Sequence, residues 1–201
     1  MKKTFAVYID SISLLMLLAL LIEEPMVYTA SLLIAAFVHE CGHVLATHIL
    51  HISIGALHIS ILGARMELRD PLLSYDKEWW LCAAGPIFSF LLSALTMLIY
   101  IAAPYAETLR LLSLTSYLLG MINLLPIGWL DGGRMFRAFC LMLFPHRIAN
   151  ALLQCFSLLF LMLLWMISVY LLIRVGNSLK LFFFSFSLFF RFFYPKRGIK
   201  N

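Results

Sequence analysis

A short polar motif within a long apolar segment constrains this chain more than any other feature. Residues 26–50 are almost uncharged, and Glu40 is the only acidic residue among them. Histidines stand on both sides of it, in the pattern His39-Glu40-Cys41-Gly42-His43. A carboxylate in the hydrocarbon of a bilayer costs about 2.5 kcal/mol or more, so its presence there indicates a function. Two histidines four residues apart share one helical face, which suits two zinc ligands with the glutamate as general base. The motif predicts hydrolysis within a membrane.

The composition is that of a membrane protein. The 201 residues are 63% hydrophobic and 12% charged, and the mean hydropathy is +0.97. A soluble domain is about 25% charged, so we expect a polytopic membrane protein without a separate soluble domain. The net charge of +5 does not indicate a nucleic-acid partner, because the basic residues are spread between apolar segments. We expect one domain over residues 1–201, with the catalytic core at about 26–145 and the lipid bilayer as its surroundings.

The apolar segments predict about six transmembrane helices. A helix needs about 20 apolar residues to cross a bilayer, and six segments approach that length: 4–22, 26–50, 79–103, 108–125, 147–173 and 179–193. Between the second and third of them, residues 52–68 alternate apolar with polar or small residues, which indicates strands. The predicted fold class is therefore an all-α polytopic membrane protein with a small β-sheet between helices two and three.

The basic residues predict the orientation in the membrane. With six spans, three of the fifteen lysines and arginines (Arg110, Arg174 and Lys180) lie on one side, and the remaining twelve lie on the other. Lysine and arginine concentrate in cytoplasmic loops. We therefore expect a multi-pass protein with both termini in the cytoplasm.

Two histidines do not complete a catalytic zinc site, which normally has three protein ligands. A third histidine six residues after His43 would complete a common motif, but that position holds Ile49. The remaining histidines of this region are better explained as interfacial or structural residues: His48, His51 and His58.

Among the acidic residues, Asp131 has the most distinctive surroundings. It follows an apolar segment that is broken by Pro126 and Gly128. Broken backbone at membrane depth is tolerated where it is buried in protein or lines a wet cavity, so this carboxylate could turn inward as a ligand. It could equally well cap a short helix. Asp10, in the first predicted span, is a minor candidate, and spacing alone does not decide among these roles.

Three blocks of the sequence resemble the site-2 protease family of intramembrane zinc metalloproteases. They are residues 39–43, Ala84-Gly85-Pro86, and the Asn123 to Gly133 block with its Asn-x-x-Pro and Asp-Gly elements. The resemblance implies one Zn²⁺ per chain, held by His39, His43 and Asp131, with Glu40 as the catalytic base. Asn123 would either position the substrate backbone or hold the broken helix together.

The compact form of the chain is similar to the sporulation subgroup of that family. This similarity implies a bacterial cell membrane, a membrane-anchored or membrane-associated protein substrate such as a sporulation sigma-factor precursor, and a membrane-bound regulator. Two positions depart from the family pattern: Phe88-Ser89-Phe90 stands where many members carry an asparagine, and Gly63-Ala64 where a Gly-Gly pair is common. We expect neither departure to touch the ligands.

Two other classes of protein are alternatives to a zinc metalloendopeptidase. Ionisable residues within a membrane also mark transporters and metal-handling proteins. An inactive scaffold could retain the same fold. The position of Glu40 beside His39, where a general base is needed, favours the enzyme over both alternatives.

Overall fold

A computed structural model describes residues 6–9, 25–52, 54–60, 63–68, 73–103 and 106–175, together with residues 185, 186, 189 and 192. These residues contain five helices and three strands. In chain order they are β1 (Ala6–Ile9), α1 (Met26–Ile49), β2 (Ile54–Ser60), β3 (Gly63–Leu68), α2 (Tyr75–Ala102), α3 (Glu107–Asn123), α4 (Asp131–Leu143) and α5 (His146–Val175).

Three of the described helices, α1, α2 and α5, are long and apolar enough to cross a membrane. They correspond to the second, third and fifth predicted spans. Helix α3, the predicted fourth span, has 17 residues. At about 1.5 Å per residue it is about 26 Å long, which is short of the ~30 Å hydrocarbon core. Six spans are therefore not confirmed, although three apolar helices make this an integral membrane protein.

The prediction of a first helix over residues 4–22 is wrong at its start. Ala6–Ile9 form β1, which pairs in parallel with β2 from Ala6 opposite Ala56 to Ile9 opposite Ile59. The periodicity of a short apolar run does not show whether it forms a strand or a helix. Here the pairing with β2 makes the segment a strand. The rest of that segment, including Asp10, lies outside the described residues, as does most of the predicted sixth span.

The alternating segment between α1 and α2 forms strands β2 and β3. They pair antiparallel from Ile54 opposite Leu68 to Ser60 opposite Gly63, with an irregularity between Ile54 and Ala56. The order of the three-stranded sheet is β1-β2-β3. Since β2 is central, β3 is an edge strand of the described sheet.

Helix α1 ends in a Schellman motif that leads the chain towards this sheet. The amide of Ile52 donates to Thr47 O at 2.9 Å, and that of His51 donates to His48 O at 3.3 Å. His51 takes the left-handed conformation, with φ of 53°, which glycine usually occupies in this motif. Ile52 then packs with Leu81 of α2, which fixes the end of α1 against the start of α2.

The inner faces of the helices carry small and polar residues, and the outer faces carry large apolar ones. On α1 the buried residues include Thr29, Ser31, His39, His43 and Thr47, whereas Leu33, Ile34, Phe37 and Ile49 are exposed. Between α2 and α3 the Ser113 hydroxyl donates to Ser93 O at 2.9 Å. This distribution suits helices that contact lipid outside and pack closely inside.

A broken segment, residues 124–130, joins α3 to α4. Its Ile127 is fully buried and packs with Leu130 and with Leu161 of α5. Ser157 of α5 accepts a hydrogen bond from the Gly128 amide at 3.1 Å and donates one to Pro126 O at 3.1 Å. Non-helical backbone within a membrane protein needs such partners, because lipid offers none. One serine therefore satisfies two backbone groups just before Asp131.

We expect Ser157→Ala to lower the free energy of unfolding by about 1–3 kcal/mol, because two part-buried backbone groups lose their partner. Thermal or denaturant unfolding in detergent micelles measures this change. Ser168→Ala is the matched control. Ser168 is also fully buried on α5, but its hydroxyl makes no hydrogen bond within the part of the chain that the structure describes. Equal losses in the two variants would contradict the role given to Ser157.

Candidate metal centre

Three side chains from two distant parts of the chain converge at one point. Asp131 Oδ2 lies 3.1 Å from His39 Nε2 and 3.1 Å from His43 Nε2. The two Nε2 atoms are 3.3 Å apart. Asp131 is 92 residues after His39, so only the fold brings these atoms together. The three residues could hold a metal ion, as the resemblance to the site-2 protease family implies.

Helix α1 supplies the two histidines from its buried face. His39 is 4% exposed and His43 is 7% exposed, so both imidazoles are withdrawn from lipid and solvent. Asp131 is the first residue of α4, and the cap position belongs to Leu130. The helix-cap role that the sequence left open for Asp131 is therefore not the one it has here.

One face of α2 holds both imidazole rings from behind. Leu81, Gly85 and Ser89 are four residues apart and therefore lie along a single stripe of the helix. The Leu81 carbonyl is 2.8 Å from His43 Nδ1, and the Ser89 hydroxyl is 2.9 Å from His39 Nδ1. Metal-binding histidines almost always have such a partner on the second ring nitrogen, which fixes the direction of the first.

Gly85 stands between these two contacts and provides the space for the rings. A Cβ atom at this position would overlap Nε2 of both His39 and His43. The residue must therefore be glycine if the two Nε2 atoms are to stay where they are. This explains the glycine of the Ala84-Gly85-Pro86 block in terms of the site itself.

The hydrogen bonds indicate that a cation fits between the three residues. A carbonyl only accepts, so His43 donates from Nδ1 to Leu81, and in the neutral ring Nε2 then carries a lone pair. That lone pair faces the carboxylate oxygen of Asp131, which is also an acceptor. Two acceptors at 3.1 Å repel each other unless a positive charge lies between them. Two imidazole nitrogens and one carboxylate oxygen are a typical set of zinc ligands.

The electrostatics of Asp131 suit a ligand. Burial by itself raises the pKa of this carboxyl group. The contacts with His39 and His43 outweigh the burial and hold the pKa of Asp131 below its ordinary value. The group is therefore ionised at neutral pH, as a metal-binding carboxylate must be.

Glu40, the residue expected to act as the base, follows His39 on α1. Its side chain is half-buried, and its charge acts on His43. Glu40 therefore lies beside the cluster without being one of the three converging residues.

Asn123 lies at the end of α3 and bonds within its own helix. Its Nδ2 atom donates to Leu119 O at 3.0 Å, one turn earlier. This bond lies within α3 and does not cross the broken segment, so it decides neither of the two roles that the sequence left open for Asn123. The substrate-positioning role of Asn123 stays a prediction.

Among the side chains that the structure describes, those of His48 and His51 are not part of the cluster. His48 and His51 are exposed near the end of α1, and His58 is part of β2. Asp10 lies outside the described residues.

Sequence reasoning missed the role of Ser89. We expected the departure from the family pattern at residues 88–90 to lie away from the ligands, and this was wrong, because Ser89 contacts His39. The available signal was its spacing of four residues from Gly85, which places both on one helical face. The role of the Leu81 carbonyl leaves no signal in the sequence, because every residue has a carbonyl.

We expect Gly85→Ala to weaken metal binding by about tenfold or more, because the new methyl group displaces both imidazoles. Metal content and affinity of the purified protein measure the effect. Gly128→Ala is a suitable control, since a Cβ there would meet Leu153 at an ordinary contact distance of 3.7 Å. Normal metal affinity in the Gly85 variant would show that metal binding does not require the two imidazoles to stay in their present positions.

One segment of this chain matches a known protein family, and its fold matches that of a solved structure. No curated protein matches it. The family model "Peptidase family M50" matches residues 100–167, about a third of the chain, which include the broken segment and Asp131 but not the histidine motif. Among solved structures it is similar to the site-2 protease from Methanocaldococcus jannaschii, with a TM-score of 0.64 and 19% identity. That match covers 100% of this chain and 96% of the other. The chain therefore has the fold of a site-2 protease, and one third of it matches the M50 peptidase family.

Proposed function

We propose that this protein is an intramembrane zinc metalloprotease. The observation that carries the proposal is the convergence of Asp131 with His39 and His43 beside Glu40, where the two histidines lie on a helix apolar enough to cross a membrane. Two observations that do not depend on the site geometry also support the proposal: the fold of a site-2 protease and the match to the M50 family model. The protein would hydrolyse peptide bonds of a membrane-anchored or membrane-associated substrate.

The three converging residues are the proposed ligands of one Zn²⁺ per chain. Zinc bound there would polarise the substrate carbonyl and lower the pKa of a water molecule. The Leu81 carbonyl and the Ser89 hydroxyl keep the imidazoles directed at the centre. The apolar outer faces of α1 and α2 limit access of bulk water, which strengthens the electrostatic interactions inside.

Glu40 is the proposed general base. Its carboxylate would take a proton from the attacking water and later deliver it to the leaving amine, so that the residue ends the cycle ionised. A carboxylate can do both, because a metal bound at the centre would make the water more acidic. The proton thus moves from water to the amine product, and no other acid is needed.

A transmembrane substrate must unwind before it can be cleaved, because a helix hides its peptide bonds in its own hydrogen bonds. The described sheet offers a place for the unwound segment. Strand β3 is an edge strand in the connection between α1 and α2, the helices that hold the histidines. An extended segment could add to that edge through backbone hydrogen bonds.

Sequence features support a more specific location and substrate. With six spans, the charge asymmetry supports a location of both termini in the cytoplasm, and the likeness to the sporulation subgroup supports a bacterial cell membrane. The likeness to the sporulation subgroup suggests a sigma-factor precursor as substrate and a membrane-bound regulator. A cleavage assay with such a precursor, alongside other single-span membrane proteins, tests the substrate.

We expect Glu40→Gln to retain metal and fold but to lose proteolysis by about 10²–10⁴-fold, because the amide cannot accept the proton from water. Cleavage of a membrane substrate by the purified protein measures the loss. Glu107→Gln is the matched control, because Glu107 is an exposed glutamate on α3. Undiminished cleavage by the Glu40 variant would exclude Glu40 as the base. A parent protein that cleaves no substrate would contradict the enzymatic proposal, and transport or scaffolding would become the better explanation.

We expect Asp131→Asn to bind metal more weakly and to lose most of its activity, since a neutral amide is a poorer ligand than a carboxylate. A negative charge in the first turn of a helix also stabilises that helix by about 0.3–1 kcal/mol. This effect on helix stability must be separated from the effect on metal binding. Asp76→Asn provides the control, because Asp76 is an exposed acid in the first turn of α2. If both variants keep their metal content, Asp131 acts on its helix and not on a metal.

A further inference from the structure

Ser89 is a fully buried polar residue that contacts one of the proposed ligands. Its side chain is 0% exposed, and its hydroxyl lies 2.9 Å from His39 Nδ1. Desolvating a hydroxyl costs free energy unless it forms a hydrogen bond, so this contact accounts for a serine at a fully buried position. The contact is on the opposite side of the ring from the Nε2 atom that faces Asp131.

The two histidines are held by unlike groups. His43 donates to a backbone carbonyl, which every residue at position 81 would provide. His39 depends on a side chain, so a substitution can remove its partner. A ring with a proton on Nδ1 presents the lone pair of Nε2 to a metal, and the Ser89 hydroxyl can accept that proton's hydrogen bond.

We propose that Ser89 is a positioning residue for the metal centre, which holds His39 with Nε2 directed at the point where His43 and Asp131 converge. The inference rests on the proposed function only in taking that point as a metal site. Ser89 acts through His39 and need not touch the substrate. Its loss frees the ring to rotate about its side-chain bonds, so that the metal meets two ordered ligands instead of three.

Ser89 lies at a close contact between α2 and α3. Ser89 also lies close to Gly120 of α3, where an added Cβ would come within 3.2 Å of Ser89 Cβ. Helix α3 therefore packs against the turn of α2 whose Ser89 contacts His39. Loss of the hydroxyl removes the hydrogen bond but leaves this packing intact.

The test is a titration of the metal-free full-length protein with Co²⁺ in detergent micelles, followed by the visible absorption of the bound ion. We expect Ser89→Ala to weaken Co²⁺ binding by about 10–100-fold, as loss of a hydrogen bond to a metal-binding histidine typically does. Its absorption spectrum should also change, because the geometry at His39 is less defined. Ser89→Thr, which keeps the hydroxyl, should bind more tightly than Ser89→Ala.

Ser116→Ala is the matched control. Ser116 is also 0% exposed, on α3, and its hydroxyl makes no hydrogen bond within the described part of the chain. We expect its Co²⁺ affinity to stay within about twofold of the parent. Unchanged affinity in Ser89→Ala, or an equal loss in Ser116→Ala, would overturn the positioning role.

Proteolysis at increasing zinc separates positioning from general damage. If Ser89 acts through metal affinity, excess Zn²⁺ should restore much of the activity of Ser89→Ala, whereas a damaged fold would not recover. The metal titration does not depend on proteolysis. A parent protein that binds Co²⁺ but cleaves no substrate would therefore contradict the proposed function and leave this inference standing, and a parent that binds no Co²⁺ would overturn both.

Discussion

The close approach of α1 and α2 is the constraint on which the centre depends. It requires glycine on both helices. A Cβ on Gly42 would come within 2.7 Å of the Ala84 carbonyl oxygen, and one on Gly85 would overlap the imidazoles of α1. Small residues allow membrane helices to approach closely, where hydrophobic association is weak and packing must replace it. Here the approach also lets backbone and side-chain groups of α2 reach both histidines.

The third residue of the centre depends on a different device. Asp131 arrives from the broken segment, whose backbone cannot satisfy itself as a helix does. Ser157 of α5 forms hydrogen bonds with this segment. The glycines that follow Asp131 allow the first turn of α4 to pack directly against the same segment. A Cβ on Gly132 or Gly133 would overlap the carbonyl groups of Leu124 and Ile127, respectively. The Asp-Gly-Gly sequence is thus explained by packing at Gly132 and Gly133 and by chemistry at Asp131.

The sequence predicted the parts of this structure that depend on local patterns. Apolar length located α1, α2 and α5, and a spacing of four residues placed His39 and His43 on one face. Asp131 could not be derived in this way, because its contacts span 92 residues, and the residues alone left it as ligand or cap. The resemblance of three sequence blocks to a known family supplied that assignment.

The failures of prediction have the same physical origin. Ala6–Ile9 form a strand because β2 lies beside them, and nothing within the four residues shows that partner. Ser89 appeared to be a departure of minor effect because its contact with His39 crosses between helices. Interactions between elements, which sequence patterns do not contain, decide both cases.

Charge balance connects the centre to the stability of the whole protein. Two carboxyl groups, those of Asp131 and Glu40, lie at the cluster, and neutral imidazoles would not balance their charge when both are ionised. Buried like charges of this kind are costly, since a low-dielectric interior screens them poorly. A divalent cation would bring their sum to zero while it replaces the repulsion between facing acceptors with coordination. Metal binding and folding are coupled in such a site, because the ligands meet only in the folded chain. A metal ion bound by His39, His43 and Asp131 would therefore also hold α1 and α4 together.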